Sequence, residues 1–465
     1  MTTLNPESLS LPEIYAGLRD GRVSARDLVS RAISSHDRLD DHLGAYFAWM
    51  GESALAVAGQ VDELLALGRD TGPLMGLPVS VKELYGVPGL QTHAGSPAPL
   101  PHRWERPGPL VRRLLGQLAA ITGKTHTVEF AFGGLGVNSH WGTPRNPWDN
   151  ASHRVPGGSS AGAGVSLMEG SARLALGTDT AGSVRVPAAM TGVAGLKTTF
   201  GRFSLEGIVP LSPSLDTPGL LARDVTDLEF GFRALTGADV ESEQIPPDFA
   251  DIRLGVPRDF FWDDCSPGVA EAVEAAMAGL EQAGVRLVPL ELPDCREAFD
   301  IFRGGGLAAA ELAAFLELES PRHLQTLDPN VAARVRAAET LTAAAYIQRK
   351  QRLEIMARDA AAQLAGVDAL VTPTVALTPP TVEAVADADD YSRHNVLALR
   401  NTMVGNLMGL CGLTLPVGVD AEGMPVGMQL LSGPWREAHL LRLGRCFEAL
   451  IGRGSELPGY PGHPG

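Results

Sequence analysis

Residues 157–187 read GGSSAGAGVSLMEGSARLALGTDTAGSVRVP. Two glycine-rich turns carry hydroxyls, Ser159-Ser160 in the first and Ser183 in the second, and an apolar segment of helix length joins them. Glycine lets backbone approach backbone or a ligand without a Cβ in the way. Nucleophilic catalysis needs a hydroxyl at a tight turn, free N–H groups beside it and a base within reach. Ser183 is flanked by Ala181 and Gly182, whose N–H groups can point at a carbonyl oxygen, and a lysine that can act as base ends the run PVSVK at Lys82. A lone serine in a glycine-rich turn is ordinarily a turn residue; the second serine pair and the lysine make this one a candidate nucleophile.

Other chemistries fit these residues less well. The segment 177–183 has the glycine spacing of a phosphate loop but no lysine after its second glycine. The G-x-S-x-G elbow of α/β-hydrolases is absent around Ser183. The eleven histidines include no H-E-x-x-H, and His126 and His140 have no spaced acidic or cysteine partners, so they read as polar loop residues. With no histidine placed as a partner, serine–lysine chemistry is the natural reading.

These residues need a frame. Helices are expected over 8–35 (the second opening at Ser24), 52–68, 110–118, 222–236, 268–284 and 437–451. Strands are expected at 77–82, where Val79 and Val81 alternate with polar residues, and at 119–124, 252–257, 285–290 and 369–373. Two more, 413–417 and 427–431, flank a Glu422-Gly423 turn, after a helix over 393–411. Residues 132–158 read as an irregular, functional loop region, 191–199 as close-packed loop, and 305–365 as almost wholly helical. One β-α-β unit is visible at 252–290. Alternating strands and helices argue for an α/β fold, a large mixed twisted sheet with helices on both faces.

The chain has 465 residues, 45% of them hydrophobic, enough to bury a large core. No linker-like tract or repeat of fixed period appears, so one domain over 1–465 is expected. It would comprise N-terminal helices to about 70, a core over about 75–220 and 369–450, and a variable helical region over about 240–365. A formal net charge of −16 argues against a nucleic-acid or anionic-membrane surface. Cys265, Cys295, Cys411 and Cys446 form no C-x-x-C pair and no disulfide framework, and read as free thiols. The N-terminus lacks a basic and apolar leader, and no run approaches the roughly 18 apolar residues of a membrane helix, so a cytoplasmic enzyme is expected.

The sequence resembles the amidase signature family. The resemblance rests on GGSSAG (157–162), GTDTAGSVRVPAA (177–189) and GVAGLK (192–197), with Ser159 and Ser183 separated by the family's usual 24 residues. Upstream, GLPVSVK (76–82), Gly123-Lys124, Glu129 with Phe130 and Ala131, and NPW (146–148) also fit; downstream, LPVG (415–418) and MPVGMQ (424–429) do. It is weakest over 240–365. The resemblance implies a Ser–Ser–Lys triad: Ser183 as nucleophile, Ser159 as a bridging serine joined to its predecessor by a cis peptide bond, and Lys82 as terminal base. It implies an oxyanion hole from the N–H groups of Thr180, Ala181, Gly182 and Ser183, with Ser160, Asp179 and Arg185 supporting the loop. Departures are Glu83, where aspartate is usual after the lysine, Ala161 and Ala181, where glycine is commoner, and the run LAAI (118–121) in place of a Gly-Ala pair.

The expected function is hydrolysis of an amide to carboxylate and amine through an acyl-enzyme, with no metal or organic cofactor. The same triad would serve a carbamate (a urethanase) or an aryl amide. The transamidation component of a tRNA-dependent amidotransferase and an inactive amide-binding protein are the rival readings. The expected partner is a small amide or carbamate, with no nucleic acid and no membrane, and a homodimer is left open. Phe302, Leu307, Phe315 and Tyr346 are candidates for the pocket wall, with helix core as the plainer reading of each. Lys82 must be neutral to act; burial would lower its pKa, and an adjacent Glu83 carboxylate would raise it unless the two side chains point apart.

Overall fold

Eleven strands build one mixed sheet in a computed structural model that describes residues 8–239 and 248–461. Residues 1–7 and 240–247, where the expected N-terminal and variable regions begin, lie outside the described residues, as do 462–465. In chain order the strands are β1 (Tyr46–Trp49), β2 (Pro78–Lys82), β3 (Ala120–Thr125), β4 (Leu174–Asp179), β5 (Ala194–Lys197), β6 (Thr217–Ala222), β7 (Arg253–Val256), β8 (Arg286–Pro289), β9 (Ala369–Pro373), β10 (Cys411–Val419) and β11 (Pro425–Ser432). They lie side by side as β1-β3-β2-β4-β6-β5-β10-β11-β9-β7-β8. The pairs β2–β3, β2–β4, β7–β8 and β7–β9 are parallel and the others antiparallel.

Alternation along the strands sends side chains to two separate cores. In β4, Leu174 and Leu176 join the largest apolar cluster, whereas Ala175 joins another; in β6, Leu220 and Ala222 join the first and Leu221 the second. The first cluster is closed by the helices Leu11–Arg19, Ala25–Leu43, Gly51–Ala66, Val225–Thr236, Val269–Gln282 and Glu437–Ile451. The opposite face meets the helices Ala161–Glu169 and Arg185–Thr191, and further along Ala343–Gln363 and Ala388–Leu407. Helices therefore cover both faces, as the alternating pattern predicts. All five residues of β2 are buried, because it lies between two strands and beneath two layers of helix; the alternation of Val79 and Val81 with polar residues does not mark a solvent face.

Glycine and proline mask strands in the sequence pattern. β5 lies in the stretch expected to be loop: a Cβ on Gly195 would stand 2.7 Å from Ala188 Cβ, so glycine lets the helix above settle onto the strand. β6, where no strand was expected and whose last residue fell in the helix expected over 222–236, contains Pro218 and Gly219 yet pairs with β4 and β5 in the middle of the sheet. β1 and the helix Cys295–Arg303 had no expected counterpart, and the segment of helix length expected between the two serine turns is a helix only over Ala161–Glu169, its remainder leading into β4. The helix expected over 393–411 ends at Leu407, because Gly409 turns the chain at φ +66° and Cys411 opens β10. No helix among the described residues is long and apolar enough to cross a membrane.

Candidate active site

β2 and β4 run parallel, so their carboxyl ends, with Lys82 on one and Gly177 to Asp179 on the other, open at the same edge. In α/β sheets this is where ligands gather. Lys82 Nζ donates to Ser159 Oγ at 2.7 Å and to Thr178 Oγ1 at 2.8 Å, and is completely buried. Burial pushes its pKa down to about 7, against the opposing pull of Asp216 and Asp179. The cause is desolvation: an ammonium withdrawn from water is disfavoured relative to the amine.

The turn that presents Ser159 is built from small residues. The Gly158–Ser159 peptide is cis. A Cβ on Gly158 would lie 2.6 Å from the Gly136 nitrogen, so only glycine fits there. The Ser160 N–H donates to the Ser183 carbonyl at 3.3 Å, tying the two serine turns together, and Ser160 Oγ donates to the Thr178 carbonyl at 3.4 Å.

Ser183 faces a cavity of about 550 Å³ whose wall also includes Thr180 and Ala181. Among the described residues Ser183 Oγ has no hydrogen-bond partner, so it is not bonded to Ser159 Oγ here. The N–H groups of Thr180, Ala181 and Ser183 likewise have no protein acceptor among the described residues, whereas the Gly182 N–H donates to Asp179 Oδ1 at 2.8 Å. Gly182 holds φ +139°, and a Cβ there would collide with Thr402 Oγ1.

Asp179 and Arg185 hold this loop from below. The Val184 N–H donates to Asp179 Oδ2 at 3.1 Å, and the Arg185 guanidinium reaches the same carboxylate at 3.0 and 3.1 Å. Arg185 also donates to Gln429 Oε1 and Asn406 Oδ1, each at 2.6 Å. Burial alone would raise the Asp179 pKa, but the Arg185 charge and hydrogen bonds outweigh it and hold the carboxyl at about 2.

The sequence matches the family described as Amidase over residues 27–441. The chain belongs to the amidase family. It is 54% identical over 465 residues to a 2-amino-5-chloromuconic acid deaminase of Comamonas testosteroni, covering 99% of this chain and all of that one. It is 32% identical to one of the subunits of the glutamyl-tRNA(Gln) amidotransferase from Halorhodospira halophila, over 97% of this chain and 98% of the other. Among solved structures, a crystal structure of an amidase superimposes with a TM-score of 0.86 at 31% identity, covering 96% of this chain and all of that one. A peptide amidase bound to the competitive inhibitor chymostatin gives 0.80 at 26% identity, over 96% and 98% of the two chains. The sequence and the structural likeness together place the chain among amidase-family hydrolases with this α/β fold.

In this amidase-family chain, several residues at the site had no role assigned to them from the sequence. Thr178 lies inside the recognised run, yet only the parallel register of β2 and β4 brings it against Lys82. Asp216 stands 37 residues beyond Asp179 and accepts from Thr180 Oγ1 at 2.5 Å and from the Leu211 and Ser212 N–H groups. Burial raises its pKa to about 6. Gln429 ends the recognised MPVGMQ run; it and Asn406 arrive from strands and helices more than 200 residues away in sequence.

Of the four expected wall residues, Phe302 and Leu307 line the cavity. Phe315 and Tyr346 do not. The Phe315 ring packs edge-on against Trp104 and Phe130, and the Tyr346 hydroxyl donates to Glu311 Oε1 at 2.7 Å. Helical spacing places both on faces turned towards neighbouring elements rather than towards the cavity.

Proposed function

We propose that this chain hydrolyses a C–N bond at a trigonal carbon, with Ser183 as nucleophile, Ser159 as proton bridge and Lys82 as the base. The observation that carries this reading is the buried contact of 2.7 Å between Lys82 and Ser159, directly behind a serine that opens on the cavity. With its pKa near 7, Lys82 has a lone pair available at neutral pH. The bridge closes when the Ser183 hydroxyl swings to Ser159 Oγ, a hydrogen bond of the kind that commonly tightens only with substrate bound. The N–H groups of Thr180, Ala181 and Ser183 are the free donors of the oxyanion hole, while Gly182 keeps the loop in shape through Asp179. Ser160, Asp179 and Arg185 position this loop. With an amide, Ser183 Oγ adds to the carbonyl carbon, the amine leaves with the relayed proton, and water releases the carboxylate from the acyl-enzyme. We take the whole chain as a single folding unit, since one sheet spans residues 46–432.

Within this chemistry, the 54% identity along the whole chain favours a 2-amino-substituted unsaturated dicarboxylic acid as substrate. In its imine tautomer the C2=N carbon is trigonal and open to the same attack. Ser183 Oγ adds to C2, ammonia departs, water adds, and the hydroxyl of Ser183 is released as the 2-oxo acid forms. The net change is substrate plus water to 2-oxo acid plus ammonia. Purified protein supplied with 2-aminomuconate should release ammonia and the 2-oxo acid in equal amounts. Ammonia or amine from simple amides, carbamates or anilides but none from 2-aminomuconate would assign it instead to amide or carbamate hydrolysis. Turnover that appears only with co-purified subunits and charged tRNA would assign it to transamidation.

A further inference from the structure

Three arginines, Arg303, Arg334 and Arg336, line the cavity that Ser183 opens on, against one carboxylate, Asp389. This is unusual in a chain of net charge −16. In the same helical region Arg352 pairs with Asp294 and Glu297, and Arg296 with Asp263, whereas Arg349 donates to the Gly304 and Gly306 carbonyls. Among the described residues none of the three cavity arginines forms an ion pair.

Arg334 is the best placed of them. It is half-buried, and its guanidinium lies over the Phe132 ring at 5.4 Å and the Tyr391 ring at 5.3 Å while donating to the Phe132 carbonyl. Two rings, the Tyr391 hydroxyl and a carbonyl fix the plane of the fork and use only part of its five N–H donors. Its helix, Pro329–Arg336, is anchored to the core where the Asp328 N–H donates to the buried Glu129 carboxylate at 2.7 Å. Arg303 and Arg336 are exposed, so the cations stand towards solvent while the buried Ser183 lies at the inner end.

We infer that Arg334, flanked by Arg303 and Arg336, binds the carboxylate of the substrate that is remote from the reacting carbon, and so selects dicarboxylates. A fixed guanidinium takes a carboxylate in two parallel hydrogen bonds, and the surrounding apolar wall strengthens the pairing. The three charges also attract a dianion to a protein that would otherwise repel it. Asn395, whose Oδ1 accepts from the Gly134 N–H at 2.7 Å, presents its amide on the same wall.

The inference rests on the hydrolase reading above but is tested without turnover. The full chain carrying Ser183→Ala is titrated calorimetrically with muconate and with its dimethyl ester. Muconate should bind at least tenfold more tightly than the diester. Arg334→Gln should remove that preference, and the double variant Arg303→Gln/Arg336→Gln, which changes only exposed side chains, should reduce it and flatten its salt dependence. Arg334→Lys should restore part of it. Equal binding of acid and ester, binding of neither, or a preference that survives both arginine variants overturns the inference. Muconate that binds as expected while the unaltered protein leaves 2-aminomuconate untouched would instead overturn the choice of reaction and leave the carboxylate site standing.

Discussion

Lys82 and Glu83, adjacent in the chain, are aimed apart. Lys82 Nζ meets Ser159 Oγ and Thr178 Oγ1, while the Glu83 carboxylate accepts from the His93 N–H at 2.7 Å and the Gly95 N–H at 2.9 Å and pairs with Lys124 Nζ at 3.1 Å. Both members of that pair are fully buried. The Glu83 charge is therefore compensated by Lys124, and the carboxylates that oppose the effect of burial on Lys82 are Asp216 and Asp179.

A base must be neutral, so kcat/KM should rise with pH along an acidic limb centred near 7 and level off above it. The sign follows from the lowered pKa: below it Lys82 is an ammonium and holds no lone pair, above it the amine is free. Lys82→Ala should lose the limb together with most activity. Lys82→Arg should not restore turnover, because guanidinium stays protonated at every pH tested. An arginine variant with near-native rates would reduce Lys82 to a fixed positive charge.

Ser183→Ala should lower turnover by several orders of magnitude, since no covalent intermediate can form. Ser159→Ala should be crippled less, a water taking the place of its hydroxyl between Lys82 and Ser183. A fluorophosphonate probe followed by peptide mass spectrometry should place the adduct on Ser183; an adduct on Ser159 or Ser160 would contradict the assignment.

Arg185→Met should destabilise the fold by about 3–5 kcal/mol, because it leaves the Asp179 carboxylate buried without its partner. Urea denaturation measures this. In the unaltered protein the Asp179 pKa is held below its unfolded value, so this contribution is complete above about pH 4 and fades as pH falls towards 2. The Met variant should lack that acid-side decline. Equal stability of the two proteins would show that the pair only shapes the loop.

Leu307→Ala and Phe302→Ala should change relative kcat/KM among substrates of different acyl or acid length, because both side chains line the cavity. Phe315→Ala should leave those ratios unchanged and lower stability by about 2–3 kcal/mol, the scale expected for losing a packed aromatic that is only partly buried. A shift in selectivity from Phe315→Ala would move the wall of the pocket.

The α/β class, the long helices and the residues of the serine turns were legible in the amino acids alone, since these depend on local patterns: helical spacing, strand alternation, and glycines where a Cβ has no room. The runs around Lys82, Ser159 and Ser183 carry the family in their own composition. Which groups surround the lysine is a matter of folding at long range. Thr178 reaches Lys82 through strand register, and Asp216, Asn406 and Gln429 come to the loop across long sequence separations. Strands β5 and β6 were hidden because a strand at the centre of the sheet can contain glycine and proline when its neighbours supply the packing. The cavity arginines were equally hidden: an arginine on a helix looks like any solvated charge until the fold shows whether a carboxylate stands beside it.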